Sequence, residues 1–256
     1  MGKFINNLMG LFIIGLLALT ISCSSKKLSL IEAVKMKDTS IIKAILASSK
    51  DVDTPDEADI TALMWAAESG DNDIVIMLID KGANVNRRNR IGFTPLIGPV
   101  RNGHRETVKI LIDHGANINT KTLLGMTALM YAVEKGHLNI VNLLIDNGSD
   151  VNLSDDLGRT ALFYGIENNH YDIVSTLIDR GANVNSIENT HGFSPLIITV
   201  NNNFPNIVKF LMEKGADPNI KDKKGETAIV WAKKRGQKNM IEILSTKYSP
   251  KIKSLH

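Results

Sequence analysis

Cysteine is nearly missing from this chain: Cys23 is the one example in 256 residues. A disulfide within the chain is therefore excluded, and so is a cysteine-built metal site. Charge of one sign is also scarce. The 30 basic side chains almost balance the 27 acidic ones, leaving a net charge of +3. That is too close to neutral to point to nucleic acid, whose binders carry a clustered basic footprint. There is no Gly-rich phosphate loop, no nucleophile with a base at workable spacing and no acidic metal cluster. Neither an enzyme nor a cofactor is expected from such a sequence. With 43% apolar and 22% charged residues, the composition suits a globular protein and not a disordered one.

Apolar runs are short as well. The longest spans Leu8 to Ile21, about fourteen residues, where a membrane-crossing helix needs roughly 20. Lys3 precedes it, and the small residues Ser22 and Cys23 follow. This is the order of a secretory signal, with an uncleaved transmembrane anchor as the alternative. The placement of Cys23 resembles the lipobox of bacterial lipoproteins, whose cysteine is lipidated and becomes the first residue after cleavage. Ser22 fits that pattern. The usual leucine three residues before the cysteine is replaced by Thr20, with Leu19 one place further back. The resemblance implies a signal peptide over 1–22, then lipidated Cys23 and a short polar tether over 23–27. It also implies an exported, membrane-anchored protein, periplasmic or at the cell surface.

What the chain does have is a period. Thr61-Ala62-Leu63, Thr94-Pro95-Leu96, Thr127-Ala128-Leu129, Thr160-Ala161-Leu162, Ser194-Pro195-Leu196 and Thr227-Ala228-Ile229 follow one another at 33, 33, 33, 34 and 33 residues. Other columns keep the same register. Gly92, Gly125, Gly158, Gly192 and Gly225 stand two residues before the Thr or Ser, with Asp59 as the exception. Gly70, Gly103, Gly136, Asn169, Asn203 and Gly236 stand nine residues after it. Ile-Val pairs and a Gly-Ala-Asn-Val-Asn close follow. Each column has a physical reason. A Thr or Ser caps a helix by accepting from an unpaired backbone N–H. Pro95 and Pro195 suit the first helical position, where no donor is needed. Gly or Asn fits a left-handed helix end. The Ile-Val positions give a second helix its apolar stripe.

The pattern resembles the ankyrin repeat. The match covers about 28–248, with six clear repeats and a degenerate first one at Leu30-Ile31-Glu32-Ala33-Val34. The resemblance implies an all-α repeat solenoid of about seven helix-turn-helix repeats with β-hairpin-like finger loops. Residues 249–256 are left as a basic tail. Three departures stand out. The histidine that usually follows the leucine is replaced by Met64, Ile97, Met130, Phe163, Ile197 and Val230, so apolar packing must substitute for its hydrogen bond. Pro99 falls inside a first helix and should kink or shorten it. One extra residue lies between Asn185 and Gly192, so that finger should bulge.

Family members bind through their fingers and the inner face of the first helices, which implies a protein partner here too. Two groups of residues mark where. The fingers are apolar at Ile91, Phe93, Leu123, Leu124, Met126, Leu157 and Phe193, and exposed apolar patches tend to mark interaction sites. The alternative is that these side chains fold down onto neighbouring fingers. An aromatic column runs through Trp65, Tyr131, Tyr164 and Trp231, residue types common at binding hot spots. The alternative is packing within each repeat. Finger charge alternates, from acidic Asp56, Glu57 and Asp59 to basic Arg87, Arg88 and Arg90, then acidic Asp155 and Asp156, then basic Lys221, Lys223 and Lys224. That suits a protein of mixed charge better than a polyanion. His104, His137 and His170 recur at the period, but helices stack about 8–10 Å apart, too far for a shared metal. A structural role is expected for them, and inter-repeat hydrogen bonding for Asn86, Asn119, Asn152, Asn185 and Asn219. The reading is a monomeric, lipid-anchored scaffold of the bacterial envelope that holds an unidentified protein. An immunity-like inhibitor or a structural envelope protein is the alternative.

Overall fold

The computed structural model describes residues 28–48 and 51–246. The segment 1–27, with Cys23 and the apolar run, lies outside the described residues, as does the tail from Lys247 onward. Seven helix pairs follow one another: α1 (Leu30–Lys35) with α2 (Thr39–Ser48), α3 (Ala62–Glu68) with α4 (Asn72–Asp80), α5 (Ile97–Asn102) with α6 (Arg105–Asp113), α7 (Ala128–Glu134) with α8 (Leu138–Asp146), α9 (Ala161–Glu167) with α10 (Tyr171–Asp179), α11 (Pro195–Asn201) with α12 (Pro205–Glu213), and α13 (Ala228–Lys234) with α14 (Lys238–Ser245). First helices pack on their own second helices and on the first helices of adjacent repeats, which makes a solenoid. Among the described residues no helix is long and apolar enough to cross a membrane.

The helices start and stop where local chemistry directs. Thr61, Thr127 and Ser194 accept from the N–H three residues on, at 3.2, 3.4 and 3.3 Å. Ser29 and Glu32 close a reciprocal capping box at the start of α1, the arrangement that satisfies two orphan donors at once. Thr160 and Thr227 hold the same backbone position without a side-chain cap bond. The helix ends turn left-handed at Gly70, Gly103, Gly136, Asn169, Asn203 and Gly236, with Lys37 taking that role in the first repeat. Asp59, the exception in the other glycine column, is left-handed too, at φ 63°.

Two details differ from expectation. Pro95 does not begin a helix. Residue 99 would have to donate to the carbonyl of residue 95 to close that first turn, and Pro99 has no N–H. The helix starts at Ile97 instead. Pro99 then falls within the first turn, where amides have no helical partner in any case. The fingers were expected to be hairpin-like, yet among the described residues one isolated bridge, Ser154 with Thr160, is the whole of their β structure.

The core is apolar and continuous along the stack. Two clusters of buried side chains meet in the fifth repeat, one reaching from Ile31 to Ala182 and the other from Leu162 to Leu244. Four of the residues that replace the usual histidine, Ile97, Met130, Phe163 and Ile197, are among them, buried to 2% exposure or less. Apolar packing does substitute for the missing hydrogen bond.

Candidate functional site: the finger row

The second, third, fifth, sixth and seventh fingers are each a turn closed by one side chain, while the fourth carries Thr122 at that position. Asn89 Oδ1 accepts from the N–H groups of Ile91 and Phe93. Asp155 Oδ1 does the same for Leu157 and Arg159, Asp222 Oδ1 for Lys224 and Glu226, and Asp56 Oδ1 for Ala58 and Ile60. Where the turn residue is aspartate, the second oxygen has its own donor nine residues on. The Trp65 indole N–H donates to Asp56 at 3.0 Å, the Tyr164 hydroxyl to Asp155 at 2.6 Å and the Trp231 indole N–H to Asp222 at 2.9 Å. In the third repeat, nine residues beyond Asn89 lies Gly98, with no donor to offer. Asp56, Asp155 and Asp222 thus form one device with Trp65, Tyr164 and Trp231, which ties the second, fifth and seventh fingers to the first helices of their own repeats.

The charges respond to this arrangement. Burial alone would raise the Asp56 and Asp222 carboxyls, but the backbone N–H bonds and the indole donors outweigh it and leave both below the usual carboxylate range. In the fifth repeat, burial and the Asp155 carboxylate push the Tyr164 hydroxyl well above its ordinary value. Arg159 completes that network, donating to the Tyr164 oxygen at 2.7 Å and to Asp155 at 3.1 Å. Burial also raises Glu167, 3.6 Å from the Arg159 guanidinium.

The sixth finger is longer by its extra residue, and a longer side chain spans it. Glu188 stands where the second, third, fifth and seventh fingers have Asp or Asn, and accepts from the N–H groups of Thr190, His191 and Phe193. The bulge is accommodated in the turn. Burial raises the Glu188 carboxyl, the three N–H groups lower it by more, and the balance lies below the usual range.

Fingers are also bonded to one another. Leu123 N–H donates to the Ile91 carbonyl at 3.1 Å, Asp156 N–H to Leu124 at 3.2 Å, Asn189 N–H to Leu157 at 2.7 Å and Lys223 N–H to His191 at 2.8 Å. Below them runs an asparagine ladder. Asn86, Asn119, Asn152 and Asn185 each donate to the carbonyl of a glycine in the next repeat and accept an N–H from that repeat. Asn219, the last of the column, donates instead to nearby Asp217. At the other end Asp53 supplies the acceptor for Asn84.

This geometry sorts the candidate binding residues. Tyr131, Tyr164 and Met126 are buried, so their packing serves the repeat. Trp65 and Trp231 are half-buried with their N–H groups engaged. Phe93 and Phe193 are half-buried and meet Tyr131 and Trp231 edge-on, with ring centres 5.7 and 5.3 Å apart. Ile91, Leu123, Leu124 and Leu157 remain in solvent, at 53, 63, 69 and 48% exposure. The inter-finger bonds bring these four into one row. Ile187, 50% exposed on the sixth finger, has no place among the sequence-derived candidates. It sits at the position where the third and fourth fingers carry Arg88 and Lys121, so no column of apolar residues drew attention to it.

The recurrent histidines have a packing duty. A side chain at Gly70, Gly103 or Gly136 would run into the ring of His104, His137 or His170 of the next repeat, at 2.8, 3.1 and 2.9 Å. Where the following repeat has Asp71, Phe204 or Gln237 instead, the column holds Lys37, Asn169 or Asn203. Apart from Gly236 in the last repeat, where nothing lies over the position, glycine occurs where a histidine ring from the next repeat covers it. Among the described residues no three of His, Cys, Asp and Glu are grouped to hold a metal ion.

Comparison with known proteins agrees with the architecture. The family model for ankyrin repeats matches three times in succession, over residues 30–122, 120–188 and 185–254. A putative ankyrin repeat protein of Acanthamoeba polyphaga mimivirus is 57% identical over 37 residues, 14% of this chain and 9% of that protein's length. The chain therefore spans a small part of that relative.

Proposed function

This chain belongs to the ankyrin repeat family, and on that premise we propose that it is a non-catalytic scaffold that holds a protein partner on the row formed by its central fingers. The family is in general one of protein-interaction modules. The observation that carries the reading here is the run of four apolar side chains, Ile91, Leu123, Leu124 and Leu157, left in solvent on backbone that is cross-bonded from finger to finger. Exposed apolar side chains gathered in one place mark interaction sites. A preformed surface also loses little conformational freedom on binding.

The reading extends to location. The chain is exported and held at a bacterial membrane by lipid on Cys23, and acts there as a monomer. The order of Lys3, the uncharged run from Leu8 to Ile21, Ser22 and Cys23 supports it.

Two experiments test these statements. In a pull-down from envelope extract, Leu124→Glu combined with Leu157→Glu should lose a partner that the wild type and Trp231→Phe retain. Equal recovery by all three would exclude the finger row. Mass spectrometry of the N-terminus, with and without globomycin, should show acylated Cys23 as the first residue and its loss on treatment. An uncleaved, unmodified Cys23 would rule out the lipid anchor.

A further inference from the structure

The spacing of the tip side chains points to the shape of what lies across them. An N–H···O=C bond between neighbouring backbones sets Cα atoms about 5 Å apart, and one residue adds about 3.8 Å. Ile91 reaches Leu123 through such a bond, Leu124 follows in sequence, and Leu124 connects to the next finger through Asp156 N–H. One apolar tip therefore recurs about every 9 Å along Ile91, Leu124 and Leu157, with Leu123 in the first gap. An α-helix rises about 1.5 Å per residue, so positions i and i+7 lie about 10.5 Å apart on one face. Inclined by about 30° to the row, so that about 10.5 Å of its axis advances about 9 Å, it presents one side chain to each finger, and its i+3 or i+4 position falls over Leu123. An extended strand advances about 3.3 Å per residue. It would need three residues per finger, which turns successive side chains to opposite faces.

Charge adds a second constraint. Arg90 is exposed beside Ile91. The Arg88 guanidinium reaches the Lys121 carbonyl at 2.8 Å and lies against the Gly92 turn next to Leu123. Lys121 Nζ bonds the Ser154 carbonyl at 2.6 Å. The third finger is thus bordered by cations, while the fourth has both Lys121 and the Asp156 carboxylate, which lies against its Gly125 turn. We propose that the row receives an amphipathic α-helix of a protein partner, its apolar residues at heptad spacing and flanked by acidic side chains over the third finger. This rests on the scaffold reading above and specifies the class of partner.

The test uses fluorescence anisotropy on the full chain with three labelled synthetic peptides of one composition. The first carries leucines on a single heptad face flanked by glutamates, the second has them spread around the helix, and the third alternates them as in a strand. The first should bind at least about tenfold tighter than the others and gain helical circular dichroism on binding. Leu124→Glu and Leu157→Glu should each remove that preference, and Arg88→Glu should weaken binding and reduce its salt dependence. Both leucines are exposed, so unchanged thermal unfolding of these variants separates a lost contact from a lost fold. Equal binding of the three peptides, or tip variants without effect, overturns the proposal. So does sedimentation with phosphatidylglycerol–phosphatidylcholine vesicles that the tip variants abolish, without discrimination among peptides; that result assigns the row to a lipid surface. A pull-down lost in the tip variants without helix preference sinks the helical class alone, whereas an unaffected pull-down sinks the scaffold row itself.

Discussion

At the finger turns a single carboxylate serves donors from two places. Asp222 closes its own turn with one oxygen and receives the Trp231 indole with the other. Trp231→Phe keeps the ring and removes that donor, and should cost about 1 kcal/mol in urea unfolding. The carboxyl lies below its usual range in the folded state. Its contribution is therefore complete above the unfolded pKa of about 4 and is lost as pH falls through the lower folded value. Asp222→Asn should accordingly be less stable than wild type at pH 7, with a smaller loss between about pH 5 and 2. A parallel decline in both proteins would count against this assignment. The glycine–histidine pairs offer a second test. Gly136→Ala forces a Cβ toward the His170 ring at a positive φ of 75°, and should destabilise by roughly 1–2 kcal/mol. Adding His170→Ala should return part of that cost, with a coupling of at least about 0.5 kcal/mol in a double-mutant cycle. Strict additivity would mean that the ring does not occupy the space the glycine leaves.

At the level of the element, irregularities in the sequence became adjustments of turn and helix while the stack stayed in register. The extra residue of the sixth finger is spanned by Glu188 in place of an aspartate. Glu188→Asp should leave the longer turn under-bonded and cost about 1–2 kcal/mol. Deleting Thr190 alongside it should recover stability, by restoring the finger length that an aspartate closes elsewhere. If the deletion only adds to the damage, the length argument fails. Pro99 shows the same economy. Its missing N–H moved the start of α5 to Ile97, and the effect is a shorter helix in an otherwise regular array. Pro99 was legible as a disturbance because it lacks a donor whatever its surroundings. That it would sit in a new first turn depended on how much helix remained after it.

Across the whole molecule, stability of a solenoid is a sum of repeat and neighbour terms, and the ends have fewer neighbours. In α13 only Ala228 and Ala232 are buried, whereas α7 and α9 each bury six residues. Hydrogen exchange should therefore be fastest in α13 and α14 among the last four repeats and slowest in α7 to α10. Uniform protection along the chain would contradict additive repeats. Much of this architecture was readable in the sequence. The period, caps, left-handed ends, asparagine ladder and histidine spacing arise within one repeat or between equivalent positions of adjacent ones, so a recurring residue type reveals them. The finger surface was not readable in that way. Leu124 and Met126 are both apolar, two residues apart in one finger, and one stands in solvent while the other is buried. Likewise, nothing in the letters separates a tryptophan offered to a partner from one whose N–H is held by Asp56 or Asp222. Sequence alone determined how many repeats there are and how each is closed, because those are local bonds. Tertiary structure decided which apolar side chains stay uncovered, because that depends on where the neighbouring finger lies.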